Sequence, residues 1–267
     1  MSDGTGAVPG IAVVIPAYNE AATIRDIATR TLVHADRVIV VDDGSTDDTA
    51  RQLAGLPLTL LRNPHNMGKA ASLWRGMQMA VEAGAQAVVT LDGDGQHCPE
   101  DIPLLRAAAR AHPGCIVIGS RLHEKDKIPK ARYRANRFAN FWIAWAAGYP
   151  IRDSQSGFRI YPAALLPRVR VGHDKSAGFV FESEILIEAG RMGVRSVDVP
   201  IAAIYVSHAR PSHFRPVADI ALIVRMVAWK LLSRGMYLPG LVRSLRRPDT
   251  ERPCPIAASA SEDGRQG

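Results

Sequence analysis

Apolar β-branched runs alternate with helical patterns through the first half of the chain. "IAVVIPAYN" (11–19), "RVIVVDDGS" (37–45), "LTLLRN" (58–63), "QAVVTLD" (86–92) and "CIVIGSR" (115–121) read as strands. Such near-continuous apolar runs suit strands buried on both faces. Between them, apolar residues at helical spacing predict helices over 20–33, from about Asp47, over 67–84 and over 99–112. Gly84 ends the third of these, and Pro99 opens the fourth. This βαβα rhythm predicts an α/β domain with a mostly parallel sheet and helices on both faces.

After residue 121 the rhythm changes. A basic loop, 121–137, leads into a helix over 137–149. Phe138, Phe141, Trp142, Trp145 and Tyr149 fall on one face of it. A loop (150–162), a helix near 179–190, a strand near 195–201 and an apolar helix from about 216 follow. The expected organisation is a flexible start (1–10), one domain (11–215), an amphipathic, membrane-associated helical segment (216–247) and a disordered tail (248–267) rich in Pro, Ser, Ala and charge.

In sheets of this kind, ligands bind outside the carboxyl ends of the strands. Polar residues collect there: Tyr18, Asn19 and Glu20, then Asp42 and Asp43, then Asp92 and Asp94, then Arg121. The loop "LDGDGQHCPED" (91–101) is the most acidic. It is no calcium loop of the EF-hand type, since His97 and Pro103 stand where Gly and Glu are needed. It lacks the third glycine of a dinucleotide fingerprint, and "NPHNMGKA" lacks the ends of a Walker A loop. What remains is a pair of carboxylates that reach phosphate through a hard divalent cation. Gly93 and Gly95 permit a turn bringing Asp92 and Asp94 to one site, and Gln96 offers a neutral oxygen. His97 is a weaker ligand candidate than Gln96.

Composition narrows the partners. A net charge of +7 suits anionic ones. The sparse, odd set Cys98, Cys115 and Cys254 argues against a disulfide framework or a zinc site and fits a reducing compartment. No secretory leader is visible, and the most apolar stretch, 217–232, is broken by Asp219, Arg225 and Lys230. No nucleic-acid recognition motif is present, and oligomeric state leaves no mark. The expected location is the cytoplasm, peripheral on the inner face of the membrane.

Seven motifs occur in order: "IPAYNE" (15–20), "VVDDGSTDDT" (40–49), "NMGKAAS" (66–72), "LDGDGQHCPED" (91–101), "GSR" (119–121), "DSQSGFR" (153–159) and "FESEI" (181–185). Over about residues 11–220 the chain resembles the inverting family 2 glycosyltransferases of the GT-A fold, a Rossmann-like sheet. Within them it looks most like the dolichol- or polyprenyl-phosphate hexosyltransferase branch. One departure is Ala70, where that branch often has a glycine after Gly68 and Lys69.

The resemblance implies transfer of a hexose from GDP-mannose or a UDP-hexose to polyprenyl or dolichyl phosphate, with Mg2+ or Mn2+. Pro16, Tyr18, Glu20, Asp43, Asp92, Gly93 and Arg210 would hold the nucleotide-sugar. Asp92, Asp94 and Gln96 would hold the metal. Arg121, Arg132 and Ser156 would meet the acceptor phosphate, and Asp94, Asp153 and Arg121 would carry catalysis. His208 and Ser212 would join Arg210 on the diphosphate. A lipid phosphate is already anionic near neutral pH and needs no strong base. A saccharide or lipid hydroxyl acceptor would need one, and Asp153 is the candidate. A non-catalytic nucleotide-binding scaffold is the third reading.

Overall fold

The computed structural model describes residues 10–123, 130–173, 178, 180–202, 216–246 and 254–256. Seven strands form one sheet: β1 (Ile11–Ala17), β2 (Arg37–Asp42), β3 (Thr59–Arg62), β4 (Ala87–Thr90), β5 (Ile116–Ser120), β6 (Arg159–Pro162) and β7 (Ser196–Pro200). Their order is β3-β2-β1-β4-β6-β5-β7. All neighbours are parallel except β6, which runs antiparallel between β4 and β5.

The apolar strands sort their side chains by the two-residue period. Val13, Ile15, Val38, Val40 and Val89 pack on one face with Ile24 and Ile27 of α1 (Ile24–Leu32) and with Ile102 and Leu105 of α4 (Ile102–Ala111). Val14, Ile39, Val41 and Val88 pack on the other with Leu73 and Met77 of α3 (Lys69–Glu82). The same core takes in α5 (Lys130–Ala147), α6 (Val180–Arg191) and α7 (Pro216–Leu232). Two shorter helices are α2 (Thr49–Gln52) and α8 (Leu238–Ser244).

Several boundaries differ from the sequence expectation. The first helix begins at Ile24 rather than residue 20, because the Glu20 carbonyl accepts the N–H groups of Thr23 and Ile24 and closes a turn first. β6 lies inside the segment read as a loop; four residues among polar ones leave too short a pattern to register. The aromatic stripe of α5 splits: Phe138 and Phe141 are exposed, whereas Trp145 and Tyr149 are buried. The Trp145 indole N–H donates to the carbonyls of Met236 and Tyr237, fastening α5 to the turn before α8.

The cysteine reading needs correction. Cys115 and Cys254 form a disulfide, with Cα atoms 5.6 Å apart and a sequence separation of 139. Such a pairing follows from the fold and leaves no spacing signature. Cys254 and Ile256 are buried, so the expected loose tail does not extend to them. Among the described residues, no helix is long and apolar enough to cross a membrane.

Candidate active site

The loops after β1 and β2 are stitched into one rim. Asn19 adopts a positive φ of 56°, and its side-chain oxygen accepts the Thr46 N–H at 2.8 Å. The Asn19 N–H donates to Ser45 Oγ at 2.9 Å, and the Glu20 N–H to Thr49 Oγ1 at 2.7 Å. Asp43 is buried and points inward. It accepts the Asn63 amide and the N–H groups of Met67 and Gly68, each at 2.8 Å. Its charge therefore sits at the N-terminus of α3, where the helix dipole favours an anion. Gly44 (φ +69°) permits this turn, since a Cβ there would lie 2.5 Å from the His65 backbone.

The loop after β4 is held close beneath that rim. Thr23 Oγ1 donates to the Gly93 carbonyl at 2.7 Å. A Cβ on Gly93 would stand 3.2 Å from the Pro16 carbonyl oxygen. Asp92 Oδ1 pairs with Lys69 Nζ at 2.8 Å, and the same ammonium lies 3.0 Å from Glu182 Oε1 of α6. Gly157 lies against this cluster; a Cβ there would fall 2.9 Å from Asp92 Oδ2 and 3.0 Å from Glu182 Oε1. Asp94 Oδ1 accepts the Gln96 N–H at 3.0 Å, closing the turn between them.

Electrostatics separates the two aspartates. Burial works against the charge of Asp92, but Lys69, with Arg121, outweighs it and holds the carboxyl below its usual range. Burial raises the Asp94 carboxyl, and the neighbouring charge of Asp92 raises it further. Lys69 resists burial through Asp92 and Glu182, and its pKa is raised. His97 is buried against Phe158, with ring centroids 5.4 Å apart, and neither ring nitrogen has a hydrogen-bond partner among the described residues. Burial first, and then the charges of Arg121 and Lys69, lower it to about 3 despite Asp92.

A third wall comes from residues 153–159. Asp153 is buried; its carboxylate accepts Ser120 Oγ at 3.0 Å and the N–H groups of Gln155 and Ser156 at 3.1 and 3.2 Å. Ser156 Oγ donates to the Gly119 carbonyl at 2.6 Å. Arg159, fully buried, donates to the carbonyls of Ser154, Ser156 and Glu182. These bonds hang the segment between β5 and α6 and set Gly157 against Asp92.

Among the described residues, no group of three or more His, Cys, Asp or Glu side chains forms a metal cage. The donor set is instead an oxygen pair, in which Asp92 has a cationic partner in contact, while for Asp94 burial and the charge of Asp92 outweigh the Gln96 N–H, Lys69 and Arg121. That chemistry fits a hard divalent cation whose remaining ligands are waters or substrate phosphates.

A sequence model described as "Glycosyl transferase family 2" matches residues 12–172, more than half of the chain. The chain belongs to glycosyl transferase family 2. It is a glycosyltransferase with the GT-A fold. It is 27% identical to the UDP-N-acetylglucosamine–dolichyl-phosphate N-acetylglucosaminyltransferase of Methanococcus voltae, over 83% of this chain and 96% of that one. It is 29% identical to the undecaprenyl-phosphate mannosyltransferase of Micrococcus luteus, over 70% and 81%. Among solved structures it is similar to glucosyl-3-phosphoglycerate synthase of Mycobacterium tuberculosis in complex with Mn2+, UDP-glucose and phosphoglyceric acid. That match has a TM-score of 0.61 and 25% identity, and covers 85% of this chain and 80% of that one.

In this family 2 chain, Pro16, Asp92, Gly93, Asp94 and Gln96 come together at the carboxyl edge, with Tyr18 and Glu20 on the adjoining loop. Arg121 follows β5 and acts electrostatically on Asp92 and Asp94. Asp43, Asp153 and Ser156 spend their oxygens on internal bonds instead. The Arg132 side chain, and all of His208, Arg210 and Ser212, lie outside the described residues. Lys69, Gly157 and Glu182 received no role from the sequence, although each lies in one of the ordered motifs. A lysine opening a helix beside a carboxylate loop was the available signal.

Proposed function

We propose that the chain transfers a hexose from GDP-mannose or a UDP-hexose to polyprenyl phosphate at an anionic membrane surface. The observation that carries this reading is the Asp92–Asp94 pair, with Lys69 in contact with Asp92 and a net push by burial and by Asp92 against the charge of Asp94. Asp92, Asp94 and Gln96 hold Mg2+ or Mn2+. When bound, the ion supplies positive charge against the leaving nucleoside diphosphate. Pro16, Tyr18, Glu20 and Gly93 line the nucleoside side, while Asp43 shapes that wall through the loop before α3. Lys69 keeps Asp92 ionised and fixes its direction. Arg121 faces donor and acceptor phosphates, with Arg132 and Arg210 as further contacts. A lipid phosphate attacks without a base, so positioning and electrostatics suffice.

The relatives named as dolichyl-phosphate and undecaprenyl-phosphate transferases support this acceptor class. So does the surface beside α5, α7 and α8. Phe138, Trp229, Leu232, Leu238 and Leu245 are 59–69% exposed there, among Arg225, Arg234, Arg243 and Arg246. Apolar side chains interleaved with arginines suit an anionic interface. A hydroxyl acceptor loses support, because Asp153 is buried and both of its oxygens are already bonded.

The test is transfer of radiolabelled hexose from GDP-mannose and from UDP-hexoses, with Mn2+, into extractable polyprenyl phosphate. Label should enter the lipid from one donor. Label in a free saccharide with none in lipid would overturn the acceptor assignment.

A further inference from the structure

Between the ends of β5 and β7 and the helices α5 and α8 lies a cavity of about 540 Å3. That is the size of a small-ligand site. The sheet contributes Ser120 and Asp198, α5 contributes Arg137 and Phe141, the following loop Arg152, and α8 is followed by Leu245. Oδ1 of Asp198 is sealed from solvent and has no hydrogen-bond partner among the described residues. A buried acceptor without a partner is unfavourable, which favours the neutral carboxyl, and the Asp198 side chain itself lines the cavity.

The surrounding charges define the missing partner. Arg152 and Asp153 from the loop and Arg159 from β6 act on Asp198; Tyr133 and Arg137 of α5 and His123 beyond β5 line the same cavity, and α8 adds Ser244. Burial, and then the charge of Asp153, push the Asp198 carboxyl up to about 7 against Arg152 and Arg159. Near neutral pH it is therefore a donor for much of the time. Two guanidiniums and a protonated carboxyl offer hydrogens and want oxygens. Phe141 and Leu245, 40% and 69% exposed, give the cavity an apolar side continuous with the exposed face of α5 and α8.

We propose that this cavity binds a phosphate monoester with an apolar ester group, its oxygens on Arg137, Arg152 and Asp198 and its chain along Phe141 and Leu245. Two sources share that chemistry: the head of a polyprenyl phosphate, an identification that rests on the acceptor reading above, and a free alkyl phosphate. Binding requires neither the nucleotide-sugar nor the metal, because none of these residues belongs to the Asp92–Asp94 loop.

Calorimetric titration of the full chain in EDTA, without nucleotide-sugar, tests this directly. Geranyl phosphate and inorganic phosphate serve as probes near pH 6 and near pH 8, on either side of the Asp198 titration. Relative to Asp198→Asn, the parent should lose roughly tenfold in affinity for geranyl phosphate between the lower and the higher pH, the change expected when one group near neutrality must be protonated. Asp198→Asn, whose amide donates at both values, should keep the tighter affinity at the higher one. His123→Gln should leave the pH dependence as in the parent chain. Arg137→Met and Arg152→Met should each weaken binding by about tenfold or more, the loss of a charge-assisted bond. The phosphate's own ionisation is common to every variant and drops out of the comparison.

Preference for geranyl phosphate, also seen with polyprenyl phosphate in vesicles, would assign the lipid source. Binding of geranyl phosphate but not of polyprenyl phosphate in vesicles would assign the free one, and equal binding of inorganic phosphate would overturn the apolar part of the site. Absence of binding by either probe would overturn the site, as would arginine variants that bind like the parent or an Asp198→Asn chain with unchanged pH dependence. Failure here leaves sugar transfer untouched. Failed transfer with intact binding counts against the transferase reading alone.

Discussion

Asp92 lies 2.8 Å from the Lys69 ammonium, whereas Asp94 has the charge of Asp92 for a neighbour. Two like groups, separated by one glycine, thus enter opposite environments. His97 belongs to the same setting. Its type suggested a ligand, but its ring is buried against Phe158 and held neutral, lowered to about 3. The linkage has a definite sign. Below its ordinary value near 6.5 the unfolded chain takes up a proton that the folded chain refuses, so stability falls as pH drops from there towards 3. His97→Phe should flatten that part of the stability–pH curve, read from denaturant midpoints across the window. A variant with the parent's slope would show that His97 is not the group responsible. The sequence placed these residues at one strand end but assigned them by type; burial and the approach of Lys69 from α3 come from elsewhere in the chain.

At the scale of elements, the segment 153–159 is the most consequential. Asp153 and Ser156 look like reagents in the sequence, and in the fold they are fasteners between β5, the loop and α6. They carry Gly157 to a place where a Cβ would stand 2.9 Å from Asp92 Oδ2. Gly157→Ala should therefore cut turnover by roughly a hundredfold, the scale expected of a misplacement near an ångström. Folding should suffer little, because the colliding atoms are side-chain ends. Circular dichroism and steady-state rates check both, and parental rates would show that the cluster tolerates displacement. Strands β1, β2, β4 and β5 were legible because their apolar runs are long and bounded by turn residues. β6 was hidden because four residues in a polar loop show no period, and its place depends on pairing with β4 and β5.

Over the whole molecule, the mostly parallel sheet and its ligand edge follow from the βαβα rhythm. The antiparallel insertion of β6 and the Cys115–Cys254 bridge do not, since both join residues far apart in sequence. The wall formed by 153–159, the rim of β1 and β2 and the loop after β4 converge on the acidic pair. Function therefore stands or falls with that pair. The most direct measurement is hexose transfer by Asp94→Asn beside the parent chain, each with Mn2+ and with EDTA. The account predicts transfer by the parent only with the ion, and none above background by the variant under either condition. Transfer by Asp94→Asn at the parental rate, or by the parent in EDTA, would contradict it.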